Sequence, residues 1–304
     1  LYRIAYAWTH NAALADDLVQ ETFVRAIKTP PARTDEPWRP WLVRVAMNLS
    51  RDLLRRRKRQ PYEGTWLPSP IETETEPPAF EPPDEFGNPA ARYDLLESVS
   101  YAFLLALEAL TPTQRAVLLL RDVFDYSVQE TATALGISEA NVKTTHHRAR
   151  KAVQDYDRTR RPITETLQAQ ARQVLEKFLG CLFNHDVAGA EALLAENVRQ
   201  VSDGGGEFYA AKVPIVGREK VLLFHSRLIQ IAASKSYEVH TEWRLLNGLP
   251  AIVFEIPNLP DGFAPRTVLL CQLNAEGRIA QLQSVLATRK LTAVRPVHLK
   301  TTPS

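Results

Sequence analysis

The chain has 304 residues, enough for two domains of ordinary size or three small ones. Hydrophobic residues make up 45% and charged residues 24%, which excludes a wholly disordered or fibrous protein. The net charge of +2, from 37 Lys and Arg against 35 Asp and Glu, conceals a strong segregation along the sequence. No apolar run approaches the ~18 residues of a membrane span, and no charged-then-apolar leader opens the chain. These features predict a soluble, cytoplasmic protein that makes no membrane contact. Cys181 and Cys271 are too few and too far apart for a disulfide framework or a zinc site, so both are expected as buried thiols. The first residue is Leu1 and the single methionine is Met47, so the natural start is expected upstream.

Residues 1–60 carry a helical pattern, interrupted at Pro30-Pro31 and at Pro37 and Pro40. Within it, Asp16–Phe23 is amphipathic. Asp16, Gln20 and Glu21 lie on one side, and Leu18, Thr22 and the nearby Ile27 lie toward the other. Taken alone, that acidic side is a solvated helix face. Trp38 and Trp41 then precede an unbroken basic block, Arg55, Arg56, Arg57, Lys58 and Arg59. Aromatics ahead of a cationic helix suit single-stranded nucleic acid, where bases stack on rings while Arg and Lys hold phosphates. Trp41 equally suits a core position.

Residues 61–93 read as a linker. The stretch 61–90 holds eight of the 21 prolines and is rich in Glu, with no Lys or Arg between Arg59 and Arg92. A second basic cluster follows in Lys143, Arg148, Arg150, Lys151, Arg158, Arg160 and Arg161. Two basic clusters about an acidic spacer suggest two surfaces for a polyanion, or two solvated faces.

Residues 94–161 return to helix, through Leu95, Leu96, Val99, Phe103 and Leu107, then a cap at Thr111-Pro112. The sharpest local signal is Val128–Val153. Val128, Ala132 and Leu135 share one face of a short helix, Gly136 permits a tight turn, Ile137 plugs the corner, and Ser138 caps a second helix. On that helix Val142, Ala149 and Val153 face inward, leaving Asn141, Lys143, Thr144, His147, Arg148 and Lys151 exposed. His146 falls at an inward position, as a satisfied core histidine. The arrangement predicts a helix-turn-helix whose second helix enters a major groove, the alternative being an ordinary helical hairpin. Its density of Arg and Lys favours DNA.

Beyond Pro162 the character changes. Helical patterns at about 164–184 and 187–195 give way to strand signals at Tyr237–Trp243, Ala251–Ile256, Thr267–Leu273 and Ile279–Leu286. Turns are expected at Asn247-Gly248 and near Glu276-Gly277. Helices followed by a curled antiparallel sheet predict an α+β domain over 164–293, with a tail at 294–304.

Three strings, "ADDLVQETFVRA", "WLVRVAMNLSRDLLRRRKR" and the stretch Leu110–Val153, together resemble regions 2 and 4 of a bacterial sigma factor of the extracytoplasmic-function (ECF) type. The resemblance implies that Asp16, Asp17, Gln20 and Glu21 face the clamp helices of core RNA polymerase. It implies that the Trp41–Arg57 helix, with Trp41, Arg44, Asn48, Arg55 and Arg56, reads and opens the minus-ten promoter element. The helix carrying Asn141, Lys143, Thr144, His147, Arg148 and Lys151 would read the minus-thirty-five element. Region 2 is expected to lack its first turns. "YEGTWLPSP" and "SDGGGEFYAAKVPIVG" resemble motifs of sigma factors that carry a fused SnoaL-like domain, a cone-shaped curved sheet closed by helices. Ala287–Leu291 reads Ala-Thr-Arg-Lys-Leu where such proteins often carry Asn-Pro-Asp-Lys-Leu, so Lys290 and Leu291 are shared.

From the residues themselves, Asp203-Gly204-Gly205-Gly206 is a turn that lets backbone approach closely. A phosphate cradle is disfavoured, since no Lys-Ser/Thr follows and a strand rather than a helix comes next. Trp66, Leu67 and Pro68, apolar in an acidic stretch, are expected to dock on the C-terminal domain near that turn. Asp203, His225, His240 and Trp243 are candidates for a polar cavity. The expectation is a multidomain protein: two all-α modules and a C-terminal α+β cone, acting as a transcription initiation factor regulated in cis. Its partners would be core RNA polymerase and promoter DNA. No catalytic residue, cofactor or metal is expected, and a small ligand in the C-terminal domain is left open. The rival is a helix-turn-helix regulator fused to a ligand-binding or enzymatic domain.

Overall fold

A computed structural model describes residues 1–32, 34–35, 38–59, 62–73, 95–235 and 237–297, without the side chains of 51–59, 95 and 96. The basic block at 55–59, with Arg55 and Arg56, therefore lies outside the described side chains, as do residues 74–94 and the end of the tail. The chain divides into two compact units, residues 1–61 with 75–162, and residues 62–74 with 163–304.

The first unit is helical. Helix α1 (Tyr2–Thr9) is followed by α2 (Ala12–Lys28), capped by Asn11, whose side chain accepts from Leu14 N–H at 2.9 Å. Helix α3 (Arg39–Arg59) takes Pro40 in its first turn, where a missing N–H costs nothing. The helical pattern beyond residue 94 is broken: α4 (Leu95–Ser98) stops, and Ser100 caps a separate α5 (Tyr101–Leu107). Thr111 and Gln114 form a reciprocal capping box at the start of α6 (Pro112–Leu118), with Pro112 at the first position. A π-helical turn over Leu119–Val123 leads to α7 (Val128–Leu135), α8 (Glu139–Ala152) and α9 (Gln154–Thr159).

One core runs through this whole unit. Ile4, Trp8, Val43 and Met47 cluster with Phe103, Leu107, Val117, Leu135 and Val142, all buried. Buried Arg115 fastens the two sequence segments. Its guanidinium donates to the backbone carbonyls of Trp8 (2.9 Å) and Leu107 (2.9 Å) and reaches Glu108 at 3.2 Å. Ile27 departs from expectation: it is 82% exposed, and Ala26 takes the inward place near the end of α2.

The second unit opens with α10 (Glu165–Phe183) and α11 (Val187–Ala192), then β1 (Leu194–Asp203) and a two-residue β2 (Ile215–Val216). A helix that the strand-rich reading overlooked, α12 (Arg218–Ser234), comes next. Strands β3 (His240–Leu246), β4 (Leu249–Glu255), β5 (Arg266–Leu273) and β6 (Ile279–Val285) complete a six-stranded sheet in the order β2-β1-β6-β5-β4-β3. The sheet is mixed rather than antiparallel throughout, because β1 runs parallel to β6. Asn247 and Gly248, both at positive φ, turn β3 into β4.

Residues opposite one another share a face. Trp243, Ile252, Leu269 and Ser284 lie in register on the inner face, toward the helices, and Arg244, Ala251, Leu270 and Gln283 on the outer. Both faces of the central strands are buried. Cys271 is buried, and burial pushes its thiol up to about 12; Cys181 is only half-buried.

On the inner face, buried His225 of α12 bonds Gln200 Oε1 at 2.9 Å and packs edge-on against Phe178 and Phe224. Burial holds its imidazole down at about 4, against an ordinary 6.5. The folded state therefore keeps a neutral ring that the unfolded chain would protonate. Stability is full above pH 6.5 and is lost as pH falls from there toward 4. His225→Gln should flatten the pH dependence of Tm across that window, measured by thermal unfolding from pH 7.5 to 4.

Candidate nucleic-acid interface

The α7–α8 hairpin is built by local chemistry. Ser127 and Glu130 form a capping box at the start of α7, Ser127 Oγ accepting at 3.1 Å and Glu130 Oε2 at 2.7 Å. Gly136 ends the helix at φ 64°, and Ser138 caps α8 by accepting from Asn141 N–H. Val142, Ala149 and Val153 are buried, and Ile137 packs against the same core. Asn141, Lys143, Thr144, His147, Arg148 and Lys151 are all exposed, as their spacing predicts. His146 meets the expectation of a satisfied histidine, its Nε2 lying 2.7 Å from Asp122 Oδ1.

Two further faces lie on the same unit. Asp16, Asp17, Gln20 and Glu21 are exposed along α2, while Leu18 and Thr22 turn inward. Burial, and then the charge of Asp17, raise the Asp16 carboxyl above its usual range. On α3, Trp41, Arg44 and Asn48 are spaced to share one stripe; Arg44 and Asn48 are exposed and Trp41 is half-buried, edge-on to Trp38 at 6.5 Å.

A separate constellation sits on the outer face of the second unit. Residues 62–73 form a strap across the sheet, with Leu67–Pro70 buried. At one end the buried Asp203 carboxylate accepts four hydrogen bonds. Oδ1 takes the Tyr62 hydroxyl (2.5 Å) and Gly205 N–H (3.0 Å); Oδ2 takes Leu67 N–H (2.7 Å) and Lys290 Nζ (2.5 Å). Those four donors fill its lone-pair capacity. Lys290, 2% exposed, also donates to Leu67 O at 2.5 Å and lies over the rings of Trp66 (4.4 Å) and Tyr62 (4.8 Å). Burial, then the bond to Asp203, raise the Tyr62 phenol well above its usual range.

Gly204 and Gly205 make this approach feasible. A Cβ on Gly204 would lie 2.6 Å from Phe208 O, and one on Gly205, at φ 63°, would lie 2.7 Å from Ala287 Cβ. Gly206, at φ 75°, completes the turn. At the strap's other end, Ile71 and Asn247 exchange bonds at 3.0 Å, Thr73 N–H donates to Leu245 O, and Glu72 binds Arg244 (2.5 Å) and Arg295 (2.6 Å).

Comparison with known proteins matches residues 1–60 to the Sigma-70 region 2 model and residues 100–153 to the Sigma-70 region 4 model. The chain is 29% identical over 300 residues to the ECF RNA polymerase sigma factor SigJ of Mycobacterium tuberculosis, covering 96% of this chain and 90% of that one. It is 32% identical over 161 residues to SigX of Bacillus subtilis, covering 51% of this chain and 77% of that sigma factor. The chain belongs to the ECF RNA polymerase sigma factors. The crystal structure of SigJ superposes with a TM-score of 0.68 at 25% identity, over 96% of this chain and 95% of that one. A SnoaL-like protein of Burkholderia thailandensis matches 40% of this chain and 97% of its own, at 18% identity and a TM-score of 0.29. The likeness to SigJ spans both the helical regions of this sigma factor and the helix-and-sheet domain that follows them.

The geometry also corrects the reading of the domain that follows those regions. Asp203 acts through its side chain rather than as part of a bare turn, and it faces the strap instead of a polar cavity. The cavity on the inner face of the sheet is largely apolar, and of Asp203, His225, His240 and Trp243 only His225 lines it. Lys290 was legible only as a surviving motif residue; nothing local marks a lysine next to Arg289 as buried. The acceptor of its charge lies 87 positions away.

Removing one partner of a buried ion pair strands the other, at a cost of about 3–5 kcal/mol. Asp203→Asn and Lys290→Met should each destabilise the second unit by that order and expose residues 62–73 to protease. The double variant Asp203→Asn/Lys290→Met should cost clearly less than both losses added, as read from urea unfolding in a double-mutant cycle. Additive losses would mean the two side chains do not act as a pair.

Proposed function

We propose that the first unit is the promoter- and polymerase-binding body, and that the SnoaL-like domain regulates it in cis through the strap. The exposed acids of α2 bind core RNA polymerase, with Phe23 and Ile27 supplying apolar surface beside them. The α3 stripe of Trp41, Arg44 and Asn48, together with Arg55 and Arg56, takes the minus-ten element. Helix α8 takes the minus-thirty-five element through Asn141, Lys143, Thr144, His147, Arg148 and Lys151. Catalysis belongs to the polymerase. The observation that carries this reading is the α7–α8 hairpin, capped at both helices, with a basic face exposed in one body with the region 2 helices.

That shared core has a mechanical consequence. A unit of this size is roughly 40 Å across. Two elements about 25 base pairs apart are separated by about 85 Å of duplex. One closed body cannot seat both faces on DNA at once, so the Arg115 fastening to Trp8 has to open when polymerase and promoter are engaged. The segment joining α3 to α4 sets how far the halves then part. Residues 60–94 reach about 120 Å when fully extended. With the strap held across the sheet the reach falls to about 90 Å, enough to span the promoter with little slack. Docking or release of the strap therefore changes how freely the two halves separate.

Two measurements test the assignments. Replacing Asp17 and Glu21 together with Lys should weaken core polymerase binding at least tenfold without loss of helicity, read by pull-down and circular dichroism. Arg148→Ala should either lower the salt slope of promoter binding by about 0.9 or cost ~1–3 kcal/mol of sequence discrimination. Unchanged affinity and slope, measured from 50 to 200 mM salt, would take α8 out of the groove.

A further inference from the structure

The inner side of the SnoaL-like domain holds a cavity of about 480 Å³ between the sheet and α10 and α12, a volume that accommodates a drug-sized molecule. Its walls are largely apolar, with Leu179, Phe224, Ile229 and Leu269 among them, and no Asp, Glu, Lys or Arg among the described residues lines it. Phe183, Tyr209 and Ile231 stay exposed at its rim. Tyr209 is tied to the facing loop by its N–H to Gly262 O at 2.7 Å and by its edge contact with Phe263.

Polar groups converge at one place on the lining. Ser202 of β1 and Ser284 of β6 stand in register, and the Gln200 amide nitrogen donates to both hydroxyl oxygens at 3.0 Å. That nitrogen is also 3.0 Å from the Val201 carbonyl, which fixes the amide's orientation. Gln200 Oε1 then accepts from His225 Nε2–H, so the ring is a donor there and is spoken for. Each serine oxygen is used as an acceptor, while neither hydroxyl proton has an acceptor among the described residues. Two donors with unused protons stand side by side on a largely apolar wall, whose other polar side chains are Tyr209, His225, Tyr237 and Thr267. They fit an oxygen acceptor on a guest molecule. An ionised guest finds no countercharge in the lining and would forfeit its hydration.

We propose that this cavity binds a neutral, largely apolar small molecule through a carbonyl-type oxygen held by Ser202 and Ser284. Its body lies against the aromatic and aliphatic wall between α12 and the sheet. The site is independent of the nucleic-acid faces, and its test does not use transcription, so either assignment can fail without the other.

The probe is 6-propionyl-2-dimethylaminonaphthalene, a neutral ketone whose emission shifts to the blue when it leaves water. Titrated into the full chain, it should give saturable blue-shifted emission at one site per chain. Ser202→Ala and Ser284→Ala should each weaken it about two- to tenfold, the worth of one hydrogen bond. Ala232→Trp, at a half-exposed lining position, should fill the space and weaken it more than tenfold while circular dichroism stays unchanged. In competition, 2-acetonaphthone should displace the probe at least tenfold better than 2-naphthoate at pH 7.5. Equal affinity for Ala232→Trp and the parent chain would place the dye on the exposed rim and overturn the proposal. Preference for the carboxylate would overturn the neutral guest. Absence of binding, with sedimentation showing a dimer that Ala232→Trp disrupts, would make the occupant a second copy of this chain.

Discussion

A single buried carboxylate organises the second half of this sigma factor. Asp203 has no exposed surface, and a bare carboxylate in that position would be prohibitively costly. It is tolerated because four donors reach it, two from the strap, one from its own glycine turn and one from Lys290. Each donor is in turn constrained by the arrangement. Leu67 N–H is available only if the strap lies against the sheet, and Lys290 can be buried only while its charge is met by Asp203, Leu67 O and two aromatic rings. The strap's position is therefore a condition of satisfying the charge.

The sheet's two faces divide the labour. Alternation along β1 sends Gln200 and Ser202 to the inner side and Asp203 to the outer. Consecutive residues thus belong to the cavity and to the strap's anchor. The same division recurs on β6, where Ser284 faces the cavity and Val285 pairs with Val268 and Asp203 on the outer face. Because both faces are covered, central strands such as Leu249–Glu255 are buried nearly throughout instead of alternating cleanly.

In the helical unit the comparable constraint is Arg115. Its guanidinium is buried and spends its donors on the carbonyls of Trp8 and Leu107, with Glu108 alongside. A fastening made of backbone acceptors depends on shape more than on sequence. In the opening proposed above, its partners become exposed to water, which lowers the cost compared with an apolar seam alone.

Read as a sequence, this protein declares whatever is encoded within a few residues. The capping boxes at Thr111 and Ser127, the Gly136 turn, the exposed face of α8 and the Asn247-Gly248 hairpin all rest on local backbone chemistry and appear where spacing predicts. The ECF resemblance was legible for the same reason, since its motifs are contiguous helices. Helix α12 escaped because it lies between strands and buries only Val221, Leu222 and His225 as a core-facing set, too sparse for its periodicity to stand out. Ile27 was misplaced because the buried stripe runs Ala15, Leu18, Thr22, Ala26, and Ile27 falls one position off it. Docking of Trp66, Leu67 and Pro68 near the glycine turn was expected from their apolar character in an acidic stretch. Tertiary structure alone decided that regions 2 and 4 share a core, that β1 runs parallel to β6, and that the strap is also held at its far end, from Ile71 to Thr73. Those outcomes join residues such as Tyr62 and Asp203, 141 positions apart, and no local pattern records which distant charge a buried lysine will meet.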